Sequence, residues 1–334
     1  MCPELSTLAK NKHIDEDLSL PLVIVNPKSA AGATSAKWAE MASDLRTHFG
    51  PFNVAFTRGP GNGLALAEAA ALAGRKFIIA CGGDGTVNEV ANGIIRSGAD
   101  AELGVLPSGT GGDFRRTLGI PSDIPEAAVS LRDGVTKVMD VGKITYQDFD
   151  GNTTSRYFLN VSSVGMAPSV IDRVKSSKAF DWIPGAGIRG KANFAVSALQ
   201  EVLGRDPFRV RLRLDGGPRR TVRTLSFCIA NARFFGGGMM IAPHASINDG
   251  LLDVVNIGDI NTAKILVNAF SLYRGTHQKL DEVKSTRART IEIKAADDSM
   301  DMAIETDGEL PGKLPALYEV VPNALKIRVS RKRR

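Results

Sequence analysis

The stretch Phe77-Ile78-Ile79-Ala80-Cys81-Gly82-Gly83-Asp84-Gly85-Thr86-Val87-Asn88-Glu89 decides how the first part of the chain folds. Its apolar start predicts a buried strand, its glycines predict a turn, and the residues from Val87 predict a helix. Such a turn presents backbone N–H groups at the positive end of the helix dipole, an arrangement that binds phosphate. Asp84 would then hold a Mg²⁺ that bridges phosphate oxygens, because hard cations prefer carboxylates. The alternative is a plain glycine turn in which Asp84 caps the helix.

The sequence around this stretch alternates strand-like and helix-like segments. The predicted strands are Leu22 to Val25, Val54 to Phe56, Phe77 to Cys81 and Leu103 to Leu106, and the predicted helices are Ser35 to Phe49, Leu64 to Leu72, Val87 to Ile95 and Ile124 to Leu131. Alternation of this kind predicts an α/β domain, a doubly wound parallel sheet covered on both faces, over residues 1–134. In such a sheet, ligands bind beyond the carboxyl ends of the strands.

The pattern changes near Val135, where strand-like runs begin to dominate. The predicted strands are Val138 to Ile144, Tyr157 to Val161, Phe208 to Leu214, Thr221 to Ala230, Leu251 to Ile257, Thr290 to Ile293, Met302 to Thr306, Tyr318 to Val321 and Leu325 to Val329. Residues 135–334 are therefore expected to form a mostly antiparallel β-sandwich domain, with helices at Ala192 to Leu203 and Asn261 to Tyr273. One option is that the last strand returns to the first domain.

Two further loops of small residues follow predicted strands. One is Asn26-Pro27-Lys28-Ser29-Ala30-Ala31-Gly32, and the other is Leu106-Pro107-Ser108-Gly109-Thr110-Gly111-Gly112-Asp113-Phe114. Because the loops after parallel strands open on one rim, the three loops together could wrap a triphosphate. Neither loop fits the Walker pattern, and no segment gives the dinucleotide-binding glycine fingerprint.

Composition narrows the class of protein. The 334 residues suggest two domains, and 43% hydrophobic with 23% charged residues is typical of a soluble globular protein. No apolar stretch reaches the ~18 residues that a membrane span needs, and Met1 to Leu20 does not look like a signal peptide, so a cytoplasmic location is expected. The net charge of +6 is compatible with nucleic acid or an anionic membrane surface. No aromatic residues interleave with the arginines, which argues against nucleic acid.

The motifs together resemble the diacylglycerol kinase catalytic family, which includes bacterial soluble lipid kinases and the sphingosine and ceramide kinases. The resemblance rests on Gly82 to Thr86 with Asn88-Glu89, on Asn26-Pro27, on Leu106-Pro107 leading into Gly109-Thr110 and Asp113-Phe114, and on Asp307-Gly308-Glu309. The glycine-aspartate motif alone is less specific, because NAD kinases and phosphofructokinases share it. The other elements favour the lipid kinases.

The resemblance implies transfer of phosphate from ATP to a lipid hydroxyl, with Mg²⁺ as cofactor. It assigns the ATP contacts to Asn26, Pro27, Lys28, Ser29, Ala30, Thr57, Gly83, Asp84, Gly85, Thr86, Val87, Asn88, Glu89 and Thr110. Asp307-Gly308-Glu309 is similar to the motif whose glutamate is the proposed proton acceptor, which gives Glu309 the role of base beside the catalytic carboxylates Asp84 and Asp307. A structural Mg²⁺ would be held by the Asp249 carboxylate and the carbonyls of Ser246 and Leu251.

Residue types alone leave alternatives open for these acidic groups. Asp307 and Glu309 could form an acidic turn between strands, and Asn248-Asp249-Gly250 is also a strong hairpin-turn signal.

The chain also departs from the family pattern at two places. Gly112 stands where the family usually has asparagine, and Asn62 stands where members commonly have histidine. Both departures bear on nucleotide affinity.

The most specific interpretation is an ATP- and Mg²⁺-dependent kinase that converts diacylglycerol to phosphatidic acid. Ceramide, sphingoid bases and phosphatidylglycerol are alternative lipid acceptors, NAD is a soluble one, and a non-catalytic lipid-binding protein on the same scaffold is the remaining alternative. A membrane lipid as substrate implies peripheral association with the inner face of the membrane. The basic tail and the segment Ala179 to Gly185 are expected to aid docking, while Phe234 to Met240 could contact lipid or pack in the core. The resemblance and the edge-rich β domain are compatible with a homodimer.

Overall fold

The structure is a computed structural model that describes residues 17–109, 112–165, 207–297 and 299–331. The described residues form two compact units. Unit 1 comprises residues 17–109, 119–137 and 325–331, and unit 2 comprises residues 112–118, 138–165, 207–297 and 299–324. The expectations for Thr110, for Ala179 to Gly185 and for Ala192 to Leu203 fall outside the described residues. No helix in these four ranges is both long enough and apolar enough to cross a membrane.

The elements up to residue 134 alternate as the sequence predicts. In chain order they are β1 (Leu22–Val25), α1 (Ala33–His48), β2 (Asn53–Phe56), α2 (Asn62–Leu72), β3 (Phe77–Gly82), α3 (Asp84–Ser97), β4 (Glu102–Pro107), α4 (Asp113–Leu118) and α5 (Ile124–Asp133). The short helix α4, which the sequence analysis does not predict, belongs to unit 2.

The sheet of unit 1 is parallel, with the strands in the order β2-β1-β3-β4. A fifth parallel strand comes from the end of the chain, where Lys326 and Ile327 pair with Glu102 and Leu103. Right-handed crossovers put α1 on one face of the sheet and α2 and α3 on the other. The chain therefore leaves β1 and β3, which are neighbours, toward opposite faces. Such a point is where open α/β sheets bind ligands.

Helix α3 shows why the elements of unit 1 form where they do. Val87, Val90, Ala91 and Ile94 recur at helical spacing and are all buried. An acidic residue, Asp84, opens the helix, and Gly98 in the left-handed conformation ends it. The helix consequently places the start of its first turn at the carboxyl end of β3.

The described residues of unit 2 form mainly antiparallel strands, together with helix α4 and a longer helix. The elements from residue 135 onward are β5 (Val135–Gln147), β6 (Thr153–Phe158), β7 (Val161–Gly165), β8 (Phe208–Leu214), β9 (Arg220–Thr224), β10 (Ser226–Ala230), β11 (Leu252–Ile257), α6 (Thr262–Arg274), β12 (Val283–Ala288), β13 (Thr290–Ala295), β14 (Ala303–Thr306) and β15 (Glu309–Val329). The first three residues of β5 and the last five of β15 belong to unit 1.

Strand β15 belongs to both layers of unit 2. It pairs with β14 at the end of the order β12-β11-β10-β7-β14, and it also pairs with β13, which leads to β8 and β9. The core between the layers includes Phe158, Phe227, Ile291 and Tyr318, each almost wholly buried. The predicted fold, a parallel α/β domain followed by a mostly antiparallel β-sandwich, is confirmed.

Candidate functional site

The turn between β3 and α3 leaves the start of α3 without a side-chain cap. Gly83 is the N-cap residue and Asp84 is the first residue of the helix, so the alternative in which Asp84 caps α3 is not what the structure has. A Cβ atom added at Gly85 would meet no atom within 4 Å, so this side of the turn faces open space. An uncapped helix start beside open space is suited to an anionic ligand.

Asn26 joins the loop after β1 to the start of α3. Its backbone N–H donates to the Cys81 carbonyl at 3.0 Å, and its side-chain N–H donates to the Thr86 hydroxyl at 3.0 Å. Its side-chain oxygen accepts from the Lys28 N–H at 3.0 Å, which fixes the first turn of the loop. Asn26 therefore holds two of the predicted loops in register at the point where the chain leaves β1 and β3.

The loop after β4 closes the same rim. The Ser108 N–H donates to the Gly82 carbonyl at 3.0 Å, and the Thr34 hydroxyl bonds to the hydroxyls of both Ser108 and Ser29. A Cβ atom at Gly109 would collide with the Cα of Gly83, so the two backbones touch directly. The three loops gather on one rim, as the sequence predicts. Thr34 and Ser108 were not among the predicted nucleotide contacts, although Ser108 lies within the predicted loop after β4 and Thr34 follows the predicted loop after β1.

The other predicted nucleotide contacts lie close to this rim or behind it. Thr57 follows β2, is buried, and donates its N–H to the Val25 carbonyl at 2.9 Å. The Pro27 carbonyl accepts from Ser35, and Ala30 adopts a positive φ of 54°. Asn88 is buried against Asn92 of the same helix, and Val87 is buried as well. Their role as nucleotide contacts stays a prediction.

Glu89 has a structural task in addition to its predicted one. Its two carboxylate oxygens accept the N–H groups of Gly61 and Gly63, each at 2.8 Å, at the start of α2. The neighbouring Asn62, which replaces the family's histidine, accepts the Arg58 N–H at 3.0 Å. This departure from the family pattern therefore leaves a well-bonded turn in place.

In unit 2, the Asp307-Gly308-Glu309 turn joins β14 to β15, and Asp307 acts as its anchor. One carboxylate oxygen of Asp307 accepts the Leu159 N–H at 2.7 Å, and the other accepts those of Asn160 at 2.9 Å and Val161 at 3.1 Å. Burial raises the pKa of Asp307 to about 6, although these three N–H groups and Arg156 favour the charged form. The backbone of Asp307 is also left-handed, with φ 48°.

Glu305, which the sequence analysis missed, fixes the same turn from the other side. Its side chain is in the core, 3% exposed, where one oxygen accepts from the Ser163 hydroxyl at 2.5 Å and the other from the Gly308 N–H at 2.7 Å. A single glutamate in a strand, two residues before the predicted motif, forms no sequence pattern that would indicate its role. A buried carboxylate of this kind is retained only where such partners stabilise it.

Glu309, the predicted base, is placed differently from the two anchoring carboxylates. It is exposed at the first position of β15, and its carboxylate lies 2.9 Å from the guanidinium of Arg156 on β6. The turn thus combines two inward carboxylates, Asp307 and Glu305, with one outward carboxylate that is held by an ion pair.

The predicted metal loop is bonded into unit 2 through Asp140. This buried carboxylate accepts the Gly250 N–H at 2.7 Å and the Asn323 N–H at 2.9 Å. Asp249 accepts the Leu251 N–H at 3.1 Å and faces Arg287 at 3.5 Å, while the Ser246 hydroxyl donates to Asn248. The roles of Ser246, Asp249 and Leu251 as Mg²⁺ ligands stay a prediction.

An aspartate near the predicted metal loop has a shifted pKa. Burial raises the pKa of Asp253 to about 6, and the negative charge of Asp249 raises it further while Arg287 lowers it. Asp253 lies on β11 opposite Arg287 of β12.

Unit 2 also contains an apolar cavity of about 390 Å³. Six of its eleven lining residues, from β8 to β12, are apolar, namely Leu212, Leu214, Pro218, Val222, Phe227 and Val254. The other five are polar or basic, namely Arg220, Asn256, Lys284, Ser285 and Thr286. A cavity of this size and lining is suited to part of a small apolar ligand.

Comparison with known proteins identifies both parts of the chain. Residues 21–144 match the diacylglycerol kinase catalytic domain, and residues 169–329 match the YegS C-terminal NAD kinase beta sandwich-like domain. A diacylglycerol kinase of Mycobacterium tuberculosis is 31% identical over 306 residues, covering 91% of this chain and 93% of that protein. A diacylglycerol kinase of Bacillus subtilis is 29% identical over 259 residues, covering 77% and 79%.

The fold is also found among solved structures. A diacylglycerol kinase crystal structure from Bacillus anthracis superposes with a TM-score of 0.68 at 22% identity, covering 93% of this chain and 97% of that chain. The family resemblance drawn from the motifs is therefore confirmed over nearly the whole length of the chain. The chain belongs to the diacylglycerol kinase family, and it is a lipid kinase.

Proposed function

We propose that this kinase transfers the γ-phosphate of ATP to the free hydroxyl of diacylglycerol, in the presence of Mg²⁺, to give phosphatidic acid and ADP. The observation that carries the choice of a lipid acceptor is the cavity of unit 2, whose apolar lining residues suit an acyl chain. The curated relatives from two organisms bear the name diacylglycerol kinase, which favours diacylglycerol among the lipids.

The rim of unit 1, where the loops after β1, β3 and β4 gather, fits a nucleoside triphosphate bound with Mg²⁺. The direct contact between Gly83 and Gly109 leaves no room for a Cβ atom, and Gly85 opens on free space, so phosphate could approach the backbone N–H groups of α3. Asp84 would hold the Mg²⁺, which when bound would neutralise charge on the transferring phosphoryl group. Asn26 and Thr86, which bond to each other, keep this rim in place.

In the proposed reaction, the acceptor hydroxyl oxygen forms a bond to the γ-phosphorus while the bond to the β-phosphate oxygen breaks, and ADP leaves. The hydroxyl proton passes to the Glu309 carboxylate, which is exposed and is oriented by Arg156. Because the transition state is loose, a single carboxylate is sufficient as the proton acceptor. Asp307 and Glu305 hold the backbone that carries Glu309 and take no part in the proton transfer.

The test is transfer of labelled γ-phosphate to diacylglycerol, ceramide, sphingosine and phosphatidylglycerol in mixed micelles, with NAD as the soluble acceptor. We expect label on diacylglycerol, and we expect it to be lost with EDTA, with Asp84→Asn and with Glu309→Gln. Two control variants should keep the activity. Glu319→Gln alters another ion-paired glutamate of β15, which lies 3.9 Å from Lys143, and Asp150→Asn alters an exposed aspartate in a turn.

The acceptor that is labelled decides between the alternatives. Label on ceramide, sphingosine or phosphatidylglycerol alone would replace diacylglycerol as the substrate and keep the chemistry. Label on NAD alone would overturn the choice of a lipid acceptor. Equal activity of Glu309→Gln and Glu319→Gln would remove Glu309 from the role of base.

A further inference from the structure

Helix α6, Thr262–Arg274, is the longest helix among the described residues of unit 2, and its two ends are well defined. The side chain of Asn261 caps the start by accepting the Lys264 N–H at 2.8 Å, and Gly275 ends the helix in the left-handed conformation. The helix contains no acidic residue. Among its described side chains, the exposed ones are Val267, Phe270, Tyr273 and Arg274.

Apolar side chains lie on two different sides of α6. Leu272 packs on the inner side against a buried cluster that includes Val161, Cys228 and Ile241. Val267 is 82% exposed and Phe270 is 77% exposed on the outer side. They are three residues apart and therefore adjacent on the helix surface. Exposure of two large apolar neighbours to this extent on one helix marks an interaction surface.

The outer side of α6 continues into polar and basic residues. Tyr273, three residues after Phe270, is 40% exposed, and Arg274, seven residues after Val267, is exposed on the same stripe. Lys279 and Lys284, which follow the helix, are exposed as well. Aromatic and basic residues around an apolar stripe are typical of helices that lie in a membrane interface.

The acidic residues around α6 do little to offset this positive charge. Glu282 is bonded through both oxygens to Lys264, each at 2.7 Å, and Asp259 lies 3.0 Å from Arg223. Asp259 and Asp281 are both exposed, and Asp113 and Arg116 lie near Tyr273 with opposite charges. The surface therefore complements a negatively charged bilayer better than a neutral one.

We propose that Val267, Phe270, Tyr273 and Arg274 form a docking surface for an anionic phospholipid bilayer, with α6 lying in the plane of the interface. The inference rests on the proposed function in one respect, which is that the substrate resides in the membrane. The Lys264–Glu282 ion pair ties α6 to the start of β12, and β12 contributes Lys284 and Thr286 to the lining of the apolar cavity. Docking through α6 would bring the lipid surface to the strand that lines the cavity.

The direct test is sedimentation of the full chain with vesicles of phosphatidylcholine containing 30% phosphatidylglycerol. We expect the double variant Val267→Ser with Phe270→Ser to lower the vesicle partition coefficient at least tenfold, and Arg274→Gln to lower it about threefold. Phe149→Ser is the matched control, because Phe149 is also a large exposed side chain of unit 2, at 61%. Vesicles of pure phosphatidylcholine should bind less protein. A double variant that binds as the wild type does would overturn the proposal.

A probe placed on the helix gives a second readout that does not depend on affinity. Tryptophan introduced as Phe270→Trp should show a blue shift of its emission on adding the anionic vesicles, whereas Phe149→Trp should show none. Binding of vesicles without a shift at position 270 would place the docking surface elsewhere.

Activity on two forms of diacylglycerol separates failure of this inference from failure of the proposed function. Dihexanoylglycerol, dissolved as monomers, needs no membrane, so the double variant should phosphorylate it as the wild type does while losing activity on long-chain diacylglycerol in vesicles. If the wild type phosphorylates neither form, the proposed function fails, and the vesicle and fluorescence results still decide the docking surface. A wild-type dimer that the double variant converts to a monomer would show that a second copy covers α6, and would overturn membrane docking.

Discussion

The glycine turn of unit 1 and the aspartate turn of unit 2 are both rich in polar residues, but they are held in opposite ways. Gly82 to Thr86 is held by main-chain contacts, by the Asn26 amide and by the direct approach of Gly109. Asp307 to Glu309 is held by two inward carboxylates, those of Asp307 and Glu305. The first turn keeps its backbone N–H groups at the start of α3 for a ligand. In the second turn, main-chain N–H groups instead donate to the carboxylates of Asp307 and Glu305, and so hold the turn in place.

This difference separates two acids that a motif places side by side. Asp307 and Glu309 are two residues apart, yet one is an internal anchor and the other is an exposed carboxylate beside Arg156. The sequence predicts a catalytic role for both. The geometry leads us to expect that Asp307 positions the turn and that Glu309 alone meets the substrate.

The largest expected effect is on the outward acid. Glu309→Gln should lower kcat by about 10²–10⁴, the usual contribution of a general base, because the amide cannot take the hydroxyl proton. Its stability should be close to that of the wild type, since the residue is exposed. Steady-state kinetics together with thermal melting measure both quantities. A large loss of stability in this variant would remove the distinction between the two acids.

The corresponding change at the inward acid should act on structure first. Asp307→Asn keeps the size of the side chain, and asparagine tolerates a positive φ, so the variant tests the loss of one acceptor oxygen. Because the amide nitrogen cannot accept a hydrogen bond, at least one of the three N–H groups loses its partner, which should cost about 2 kcal/mol and give roughly 30-fold faster hydrogen exchange at the amides of Leu159, Asn160 and Val161. Unchanged exchange at these amides would mean that Asp307 does not anchor the turn.

In the glycine turn, adding a single methyl group should be enough to change stability or ATP binding. Gly109→Ala would collide with the backbone of Gly83 and should destabilise unit 1 by about 1–3 kcal/mol. Gly85→Ala meets open space, so it should leave stability unchanged and raise KM for ATP. Denaturant unfolding and ATP kinetics on the pair provide the measurement. Equal stability of the two variants would contradict the close contact.

The stability of the aspartate turn should also depend more on pH than that of the glycine turn. The folded-state pKa of Asp307 is raised to about 6 from an ordinary value of 3.8, so the folded state binds more protons than the unfolded state between these pH values. The contribution of Asp307 to the stability of unit 2 should therefore fall as pH rises from about 4 to about 6 and then level off. Urea midpoints across this range measure the slope. Asp307→Asn should flatten it and keep the part that comes from Asp253, whose pKa is raised to about 6 as well.

The smallest effect is expected where the chain departs from the family pattern. Gly112 has a positive φ of 65°, a conformation that asparagine also adopts more readily than most residues. Gly112→Asn should change stability by less than about 0.5 kcal/mol, provided that the Arg115 side chain, 3.1 Å from the added Cβ, moves aside. Comparison of its melting temperature and its KM for ATP with those of the wild type shows whether the missing amide affects nucleotide affinity.

Much of the fold could be predicted because local signals and tertiary structure agree. Leu22 to Val25 and Phe208 to Leu214 have the strand boundaries that their apolar patterns predict. Strand β12 was missed, since its four central residues are polar and exposed at the end of a sheet, where no alternating pattern is required. Strand β15 was predicted as two short strands, Tyr318 to Val321 and Leu325 to Val329, because Pro322, Asn323 and Ala324 separate the two apolar runs. Its first part, which contains Pro311, Gly312 and Pro315, was not predicted, and pairing with β14 and β13 extends the strand back to Glu309.

The site was predictable where a motif imposes its own geometry and was missed where distant residues meet. The glycine turn follows from adjacent residues, so Gly83, Asp84 and Thr86 could be named from the sequence. Arg156 reaches Glu309 across a gap of more than 150 positions, and Ser163 reaches Glu305 in the same way. A single sequence contains no record of such pairs. Arg328 is a further example, because it is bonded to Glu102 at 2.8 Å across more than 200 positions. That the basic tail aids membrane docking stays a prediction.

The pairing of residues 326 and 327 with β4 has a consequence for the order in which the protein can be made. Strand β4 is almost entirely buried, but it leaves the ribosome more than 200 residues before the segment that covers its edge. During that interval an apolar strand presents an open edge, the kind of surface on which nascent chains aggregate. Newly made protein should therefore depend on chaperones until the whole chain has been synthesised, even if the finished enzyme refolds without them.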